Sequence, residues 1–146
     1  MPKISNQINI ISRCLSSYRR ALFDDDFPPG YHAYVLTICR HPGRSQDELA
    51  TSLCISKSTT TRCIERLVQN GYVRREQNPD DRRSQLIYPT EKMLKIYPKI
   101  REVADRWNEI ITADISEDEL LLTYSVIAKM ADNAKKAVFE IGGDKR

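Results

Sequence analysis

Long apolar runs are missing from the sequence, and glycine and proline are scarce. No apolar stretch approaches the roughly 20 residues that a bilayer-spanning helix needs, and the N-terminal segment lacks the apolar block and small-residue cleavage site of a signal peptide. We therefore expect a soluble, cytoplasmic protein with no membrane partner. Only 5 Gly and 7 Pro occur among 146 residues, which leaves room for long helices within a chain of one domain's length.

Metal-ligand and catalytic patterns are also missing. The 4 cysteines form no Cys-x-x-Cys pair and the 2 histidines form no His-x-x-x-His pair, so we expect no metal site and no cofactor. The sequence has no glycine-rich phosphate loop and no nucleophile elbow, which argues against an enzyme. Because free cysteine behaves as a small buried hydrophobe, we expect core thiols at all four positions, Cys14, Cys39, Cys54 and Cys63.

The net charge of +3 is too small to indicate a nucleic-acid partner. Evidence for such a partner must therefore come from how the charged residues are distributed. One predicted helix stands out: Ser56 can cap its start and Gly71 favours its end. Apolar residues such as Ile64 and Leu67 recur at helical spacing between them. The opposite face carries hydroxyl, carboxamide and guanidinium groups, at Ser58, Thr59, Arg62, Arg66 and Gln69. Such a face suits a DNA groove, although a solvated surface helix has the same composition.

The flanking segments favour the DNA interpretation. Ser45 and Glu48 form a capping box that opens a short helix, and Cys54–Ile55 leaves room only for a tight turn before the helix that follows Ser56. Two short helices joined in this way predict a helix-turn-helix. Candidate strands at Tyr72–Glu76 and Ser84–Tyr88 then enclose a polar, turn-rich connection. A hairpin directly after a helix-turn-helix is a wing.

Amphipathic helices are predicted at both ends of the chain. Apolar residues from Ile4 to Leu22 alternate at spacings of four and three, which is a heptad pattern that requires a partner helix. A long helix after Thr90 contains Pro98, which is expected to kink or weaken it, and Ser116 opens a last helix. The small central part cannot cover these apolar stripes. We therefore expect a homodimer in which the first and last helices interlock, because two-fold symmetry is the commonest arrangement.

The run from Glu65 to Ser84, ERLVQNGYVRREQNPDDRRS, resembles the MarR family of bacterial winged helix-turn-helix transcriptional regulators, and the similarity extends over essentially the whole chain. The resemblance implies a mainly α fold with a small β-hairpin in a single domain, residues 1–146. The winged-helix core is expected at about 31–90 and the dimerisation helices at about 3–23 and 91–140. The implied function is a homodimeric regulator, usually a repressor, of a pseudo-palindromic DNA operator.

The resemblance also implies residue roles. The arginine at position 83 would enter the minor groove, Asp81 would help to hold it, and the helix after Ser56 would face bases or phosphates in the major groove. Adjacent Arg74 and Arg75 must point to opposite sides of a strand, so one of them can meet a phosphate. The full predicted DNA-binding set is Ser56, Lys57, Ser58, Thr59, Thr61, Arg62, Arg66, Arg74, Asp81, Arg82 and Arg83.

Four points remain open in the sequence. Family members often bind a small aromatic or lipophilic effector, and the candidate lining is Tyr31, His32, Tyr34 and Trp107, although aromatic residues at helical spacing are more often core. Some members sense oxidants through a cysteine in the first helix; Cys14 occupies that helix, but an unreactive interface cysteine is the simpler interpretation. A winged helix that docks other proteins without specific DNA binding is the alternative function. Pro89 departs from the family pattern. The resemblance therefore leaves open how the wing connects to the long helix that follows it.

Overall fold

The computed structural model describes residues 1–23, 27 and 29–143. The helices are α1 (Ile4–Leu22), α2 (His32–Arg40), α3 (Gln46–Leu53), α4 (Lys57–Gln69), α5 (Glu91–Ile111) and α6 (Glu117–Gly143). The strands are β1 (Arg44–Ser45), β2 (Val73–Asn78) and β3 (Asp81–Pro89), and a 3-10 turn at Pro29–Tyr31 precedes α2. Part of the loop expected after α1, residues 24–26 and 28, lies outside the described residues. The chain divides into two compact units, Met1–Trp107 and Asn108–Arg146.

The prediction of a mainly α fold with a small hairpin is confirmed, and the sheet contains one strand more than expected. The three antiparallel strands lie in the order β1-β3-β2, with Arg44 opposite Ile87. Gly43 turns the chain into β1 with a φ of +86°, where an added Cβ would lie 2.9 Å from the Tyr88 hydroxyl. Because β1 is only two residues long, it has no alternating pattern that a sequence could reveal.

The wing hairpin is longer than predicted and its turn is shorter. β2 continues to Asn78 and β3 begins at Asp81, so Pro79 and Asp80 alone form the connection. The register shifts between Gln77 and Asn78. The arginines at the predicted tip are therefore strand residues. The outer part of the ribbon is exposed, so it does not need the apolar alternation on which the sequence prediction depended.

The apolar stripe predicted for α4 is confirmed. Ile64 and Leu67 are fully buried in a core that α2, α3, β3 and α5 also supply. Thr60 is buried with them, and its hydroxyl lies 3.1 Å from the Tyr34 hydroxyl, which satisfies two polar groups inside the core. This packing fixes which face of α4 points away from the protein.

The departure at Pro89 is accommodated at the end of the wing. Pro89 forms the last pair of the ladder, opposite Val73, where a missing N–H costs least. The next residue, Thr90, donates its N–H to the Tyr72 carbonyl at 3.0 Å and its hydroxyl to the Gly71 carbonyl at 2.6 Å. These bonds hold the start of α5 against the two residues that precede β2. The helix continues through Pro98 without a break.

Each terminal helix presents apolar side chains to water in the single chain. In the described part of the chain, α1 contributes no buried residue, and Ile4 and Ile11 are 58% and 47% exposed. On α6, Tyr124 is 79% exposed and Phe139 is 81% exposed. None of the described helices has an apolar stretch that suits it to crossing a membrane.

Candidate nucleic-acid interface

The first turn of α4 is an ordered set of hydroxyl groups. Ser56 Oγ accepts the Thr59 N–H at 3.2 Å and donates to Thr59 Oγ1 at 2.8 Å, so the predicted cap is confirmed. No acidic residue lies in this turn, which carries Lys57 instead. The N-terminal N–H groups and the positive end of the helix dipole favour an anion here. A DNA phosphate is such an anion.

The predicted DNA-binding residues of α4 are all exposed, at Lys57, Ser58, Thr59, Thr61, Arg62 and Arg66, and so is Gln69 at the end of the predicted outward face. Arg62 Nη2 donates to Thr59 Oγ1 at 3.3 Å. Lys57 Nζ lies 3.6 Å from Asp47 Oδ2, and both side chains are well exposed, so this pair is worth little and its lysine can exchange partners. The face therefore combines exposed cations with hydrogen-bonded hydroxyl groups.

Gln46 is a residue of this surface that the sequence analysis missed. Its Nε2 donates to Thr61 Oγ1 at 2.7 Å. It also lines an open polar cleft together with its neighbour Asp47 and four residues of the wing strand β3, at Arg82, Arg83, Ser84 and Gln85. Gln46 thereby joins α4 and the wing into one continuous surface. The available signal was its position directly after the capping Ser45, at the start of α3, which a helix-turn-helix brings beside α4.

The wing arginines are exposed, and the backbone of Arg83 is held by a hydrogen bond to Asp81. Asp81 Oδ1 accepts the backbone N–H of Arg83 at 3.0 Å. Asp81 therefore fixes the main chain from which the Arg83 side chain extends, while the Arg83 guanidinium stays exposed. Arg82 is exposed as well.

The two adjacent arginines of β2 have different surroundings. Arg75 Nη2 donates to Glu65 Oε2 at 2.9 Å, and only 24% of the Arg75 side chain is exposed, so it ties the wing to α4. Arg74 is the exposed one; it pairs with Glu76, and its guanidinium carbon lies 4.6 Å from the centre of the Tyr88 ring. Of the two, Arg74 is therefore the more exposed cation.

Comparison with known proteins identifies the family to which the chain belongs. The MarR family model matches residues 29–85, which include the helix-turn-helix and most of the wing. The crystal structure of MarR is 30% identical in sequence over 95% of both chains and superposes with a TM-score of 0.74. The chain belongs to the MarR family. Its predicted winged helix-turn-helix fold is thereby confirmed.

Two further relatives of this MarR-family chain are informative. YybA of Bacillus subtilis (strain 168), described as an uncharacterized HTH-type transcriptional regulator, is 25% identical over 93% of this chain and 91% of its own. A protein from Listeria monocytogenes assigned to the MarR family of transcriptional regulators was solved with a 26mer DNA. It is 28% identical, the match covers 94% of this chain and 92% of that chain, and the TM-score is 0.88. These relatives are regulators rather than enzymes.

The expectation of four core thiols in this MarR-family chain is wrong for two of them. Cys39 and Cys63 are partly buried, and burial raises the pKa of each thiol to about 11. Cys14 and Cys54 are exposed. Cys54 is the left-handed residue that ends α3, with a φ of 53°, so the turn directs it away from the core. Cys14 lies on the exposed α1.

The candidate effector residues lie in or beside the core of the first unit. Tyr31, His32 and Tyr34 are buried, and the Trp107 ring lies 5.3 Å from that of Tyr18. Within the described residues, both His32 ring nitrogens and Arg19 Nε are buried without a hydrogen-bond partner. Burial, helped by the Arg19 charge, lowers the pKa of His32 to about 4.

His32 should make the stability of the protein depend on pH. The unfolded chain binds a proton at His32 below its ordinary pKa of about 6.5, whereas the folded chain resists protonation until about pH 4. The stability that depends on neutral His32 is therefore fully present above about pH 6.5, and it is lost as the pH falls towards 4. We expect a loss of about 2 kcal/mol between pH 7 and pH 5 in urea unfolding. His32→Phe should flatten this slope; an equally steep slope in the variant would place its origin in other groups.

Proposed function

We propose that the protein is a homodimeric repressor that binds a pseudo-palindromic DNA operator and releases it when a small aromatic or lipophilic effector binds. One observation carries the DNA-binding part. Gln46 touches Thr61 on α4 and shares a cleft with Arg82 and Arg83 on the wing. Helix and wing therefore belong to one surface that a single duplex can cover, and the Listeria relative solved with DNA supports this use.

The proposed contacts follow from groove dimensions. A major groove admits an α-helix, so α4 would present Ser58, Thr59, Thr61 and Arg62 to base edges. The free N-terminal amides beside Ser56 and Lys57 would hold a phosphate, and further phosphates would meet Arg66, Arg74 and Arg82. A narrow minor groove concentrates negative potential and attracts a guanidinium, which is the place proposed for Arg83 with Asp81 behind it.

The proposed dimer accounts for the exposed apolar faces of α1 and α6. Each face carries large apolar side chains in contact with water, among them Ile11 and Phe139. A second copy of the chain would cover them through a two-fold interface. The same symmetry places two copies of α4 on two half-sites, which is why the operator is expected to be pseudo-palindromic.

The proposed effector response rests on the buried donors near α1. Burying a donor without an acceptor costs about 1–3 kcal/mol, and a ligand carboxylate would recover that cost at Arg19 Nε and at His32. The rings of Phe23 and Phe27 lie 4.6 and 5.3 Å from the His32 ring, so the surroundings suit an aromatic acid. Arg19 thereby joins Tyr31, His32, Tyr34 and Trp107 as a proposed effector residue.

Selection of bound sites from a random DNA library tests the proposed function. We expect an enriched inverted repeat whose binding weakens steeply with salt, because each neutralised phosphate contributes about 0.9 to the log–log slope. Binding without any enriched sequence would contradict specific recognition. It would favour the alternative in which the winged helix docks another protein.

Mild peroxide should leave operator binding unchanged. The cysteine next after Cys14 in the sequence is Cys39, whose thiol pKa burial raises to about 11, so it is a poor resolving partner. Binding should be equal before and after oxidation in both wild type and Cys14→Ser. Loss of binding in wild type alone, restored by a reductant, would instead establish the oxidant-sensing alternative.

A further inference from the structure

Thr61 lies on the exposed face of α4, yet its hydroxyl is already engaged. It donates its single hydrogen to the Lys57 carbonyl at 2.8 Å, and it accepts from Gln46 Nε2 at 2.7 Å. A hydroxyl has only one hydrogen to give. Thr61 therefore cannot donate to a base or a phosphate without breaking its bond to Lys57.

The same reasoning fixes the orientation of the Gln46 amide. Because the Thr61 hydrogen points to the Lys57 carbonyl, only the amino end of the Gln46 amide can face Thr61. The Thr61 side chain is thus held by two hydrogen bonds at its oxygen, and these bonds fix the orientation of its Cγ2 methyl. Thr59 differs, because its oxygen accepts from Ser56 and Arg62 and its hydrogen stays available to a DNA acceptor.

We propose that Thr61 recognises a thymine through contact between its methyl group and the thymine C5-methyl, and that Gln46 is the positioning residue that holds Thr61 for this contact. The C5-methyl of thymine is the apolar group that the major groove offers. A methyl group held in one orientation favours thymine over the other bases. A freely rotating hydroxyl, in contrast, can form hydrogen bonds with several different bases. This assignment rests on the proposed function, in which α4 enters the major groove.

The test uses the full-length protein and the operator recovered by selection. Each thymine is replaced in turn by deoxyuridine, which removes the C5-methyl and keeps every hydrogen-bonding group. One thymine in each half-site should raise the dissociation constant about fourfold when replaced, as expected for one methyl-sized group leaving an apolar contact. Replacing both equivalent thymines should raise it about fifteenfold, because the two half-sites contribute independently.

Two matched variants separate the methyl from the hydroxyl. Thr61→Val keeps the methyl, and β-branching holds it in one rotamer within a helix, so the deoxyuridine effect should persist. Thr61→Ser keeps the hydroxyl, and the effect should disappear. Gln46→Ala should reduce the effect in the wild-type background and change nothing in the Thr61→Val background, because Gln46 acts through the Thr61 hydroxyl.

Several results would overturn the assignment, and they are distinguishable from failure of the proposed function. An operator that is selected but shows no deoxyuridine effect would refute methyl recognition while repressor-type DNA binding stands. An effect that Thr61→Ser retains and Thr61→Val loses would assign the recognition to the hydroxyl. An effect retained by both variants would assign it to another residue. If selection returns no operator at all, the proposed function fails and this assignment fails with it.

Discussion

Replacement of Arg83 by alanine should weaken operator binding by about 1–3 kcal/mol for each half-site, by analogy with other specific arginine contacts. Arg83 extends from a backbone that Asp81 fixes through a 3.0 Å hydrogen bond, so the proposed minor-groove contact would start from a defined position. A minor-groove arginine responds to groove width and potential more than to base identity. The loss should therefore extend to many sequences and should also flatten the salt dependence of binding.

Fluorescence anisotropy at several salt concentrations measures this effect. Arg101→Ala is a matched control, since it removes an equal charge from an exposed side chain of α5 whose ion pair with Asp105 is long, at 3.9 Å. Arg62→Ala on α4 should instead change which bases are preferred. Thermal melting should be unchanged, because the Arg83 side chain is exposed. If Arg83→Ala binds the operator as tightly as wild type at every salt concentration, the wing does not enter the groove.

The double substitution Ile11→Asp with Leu15→Asp should abolish the dimer and with it tight operator binding. Ile11 is 47% exposed in the single chain, so its replacement costs the isolated chain little and the proposed interface much. Each apolar side chain that leaves a buried interface costs about 1.5–3 kcal/mol, and the two-fold axis repeats both changes. Sedimentation at micromolar concentration should report a monomer or an unfolded chain in place of the wild-type dimer.

Ser17→Asp is the matched control for the dimer. It introduces one aspartate at an exposed position of α1 that lies off the apolar stripe, so the dimer should survive. Wild-type protein that sediments as a stable monomer at the same concentration would contradict the proposed assembly. A double-aspartate variant that remains dimeric would show that the interface does not include this face of α1.

The parts of the fold that the sequence predicted correctly are those in which burial imposes a pattern. Ile64 and Leu67 reveal the inner face of α4 because a core requires helical spacing there. The ends of β2 and β3 were misplaced because the outer ribbon is exposed and needs no such pattern. β1 was missed because two residues carry no period, and Cys54 was assigned to the core although the turn after α3 needs it in a left-handed conformation.

The chemistry of the site was harder to predict than its location. Composition placed hydroxyls and arginines on one face of α4, and that face is exposed as expected. The state of each hydroxyl depends on partners elsewhere in the chain: Thr61 is fixed by Gln46, which lies 15 residues earlier on another helix. Arg74 and Arg75 looked equivalent in sequence, and their contacts in the fold separate them: Arg75 pairs with Glu65, whereas Arg74 pairs with Glu76 and lies over the Tyr88 ring.

Footprinting of the selected operator tests the joint placement of α4 and the wing most directly. Hydroxyl radicals report on sugars that face the minor groove, and guanine methylation reports on N7 atoms in the major groove. Wild-type protein should protect, in both half-sites, a stretch of major groove and the minor groove beside it. Arg83→Ala, at saturating concentration, should lose the minor-groove protection alone. Identical footprints for the two proteins, or no minor-groove protection by wild type, would contradict the insertion of Arg83.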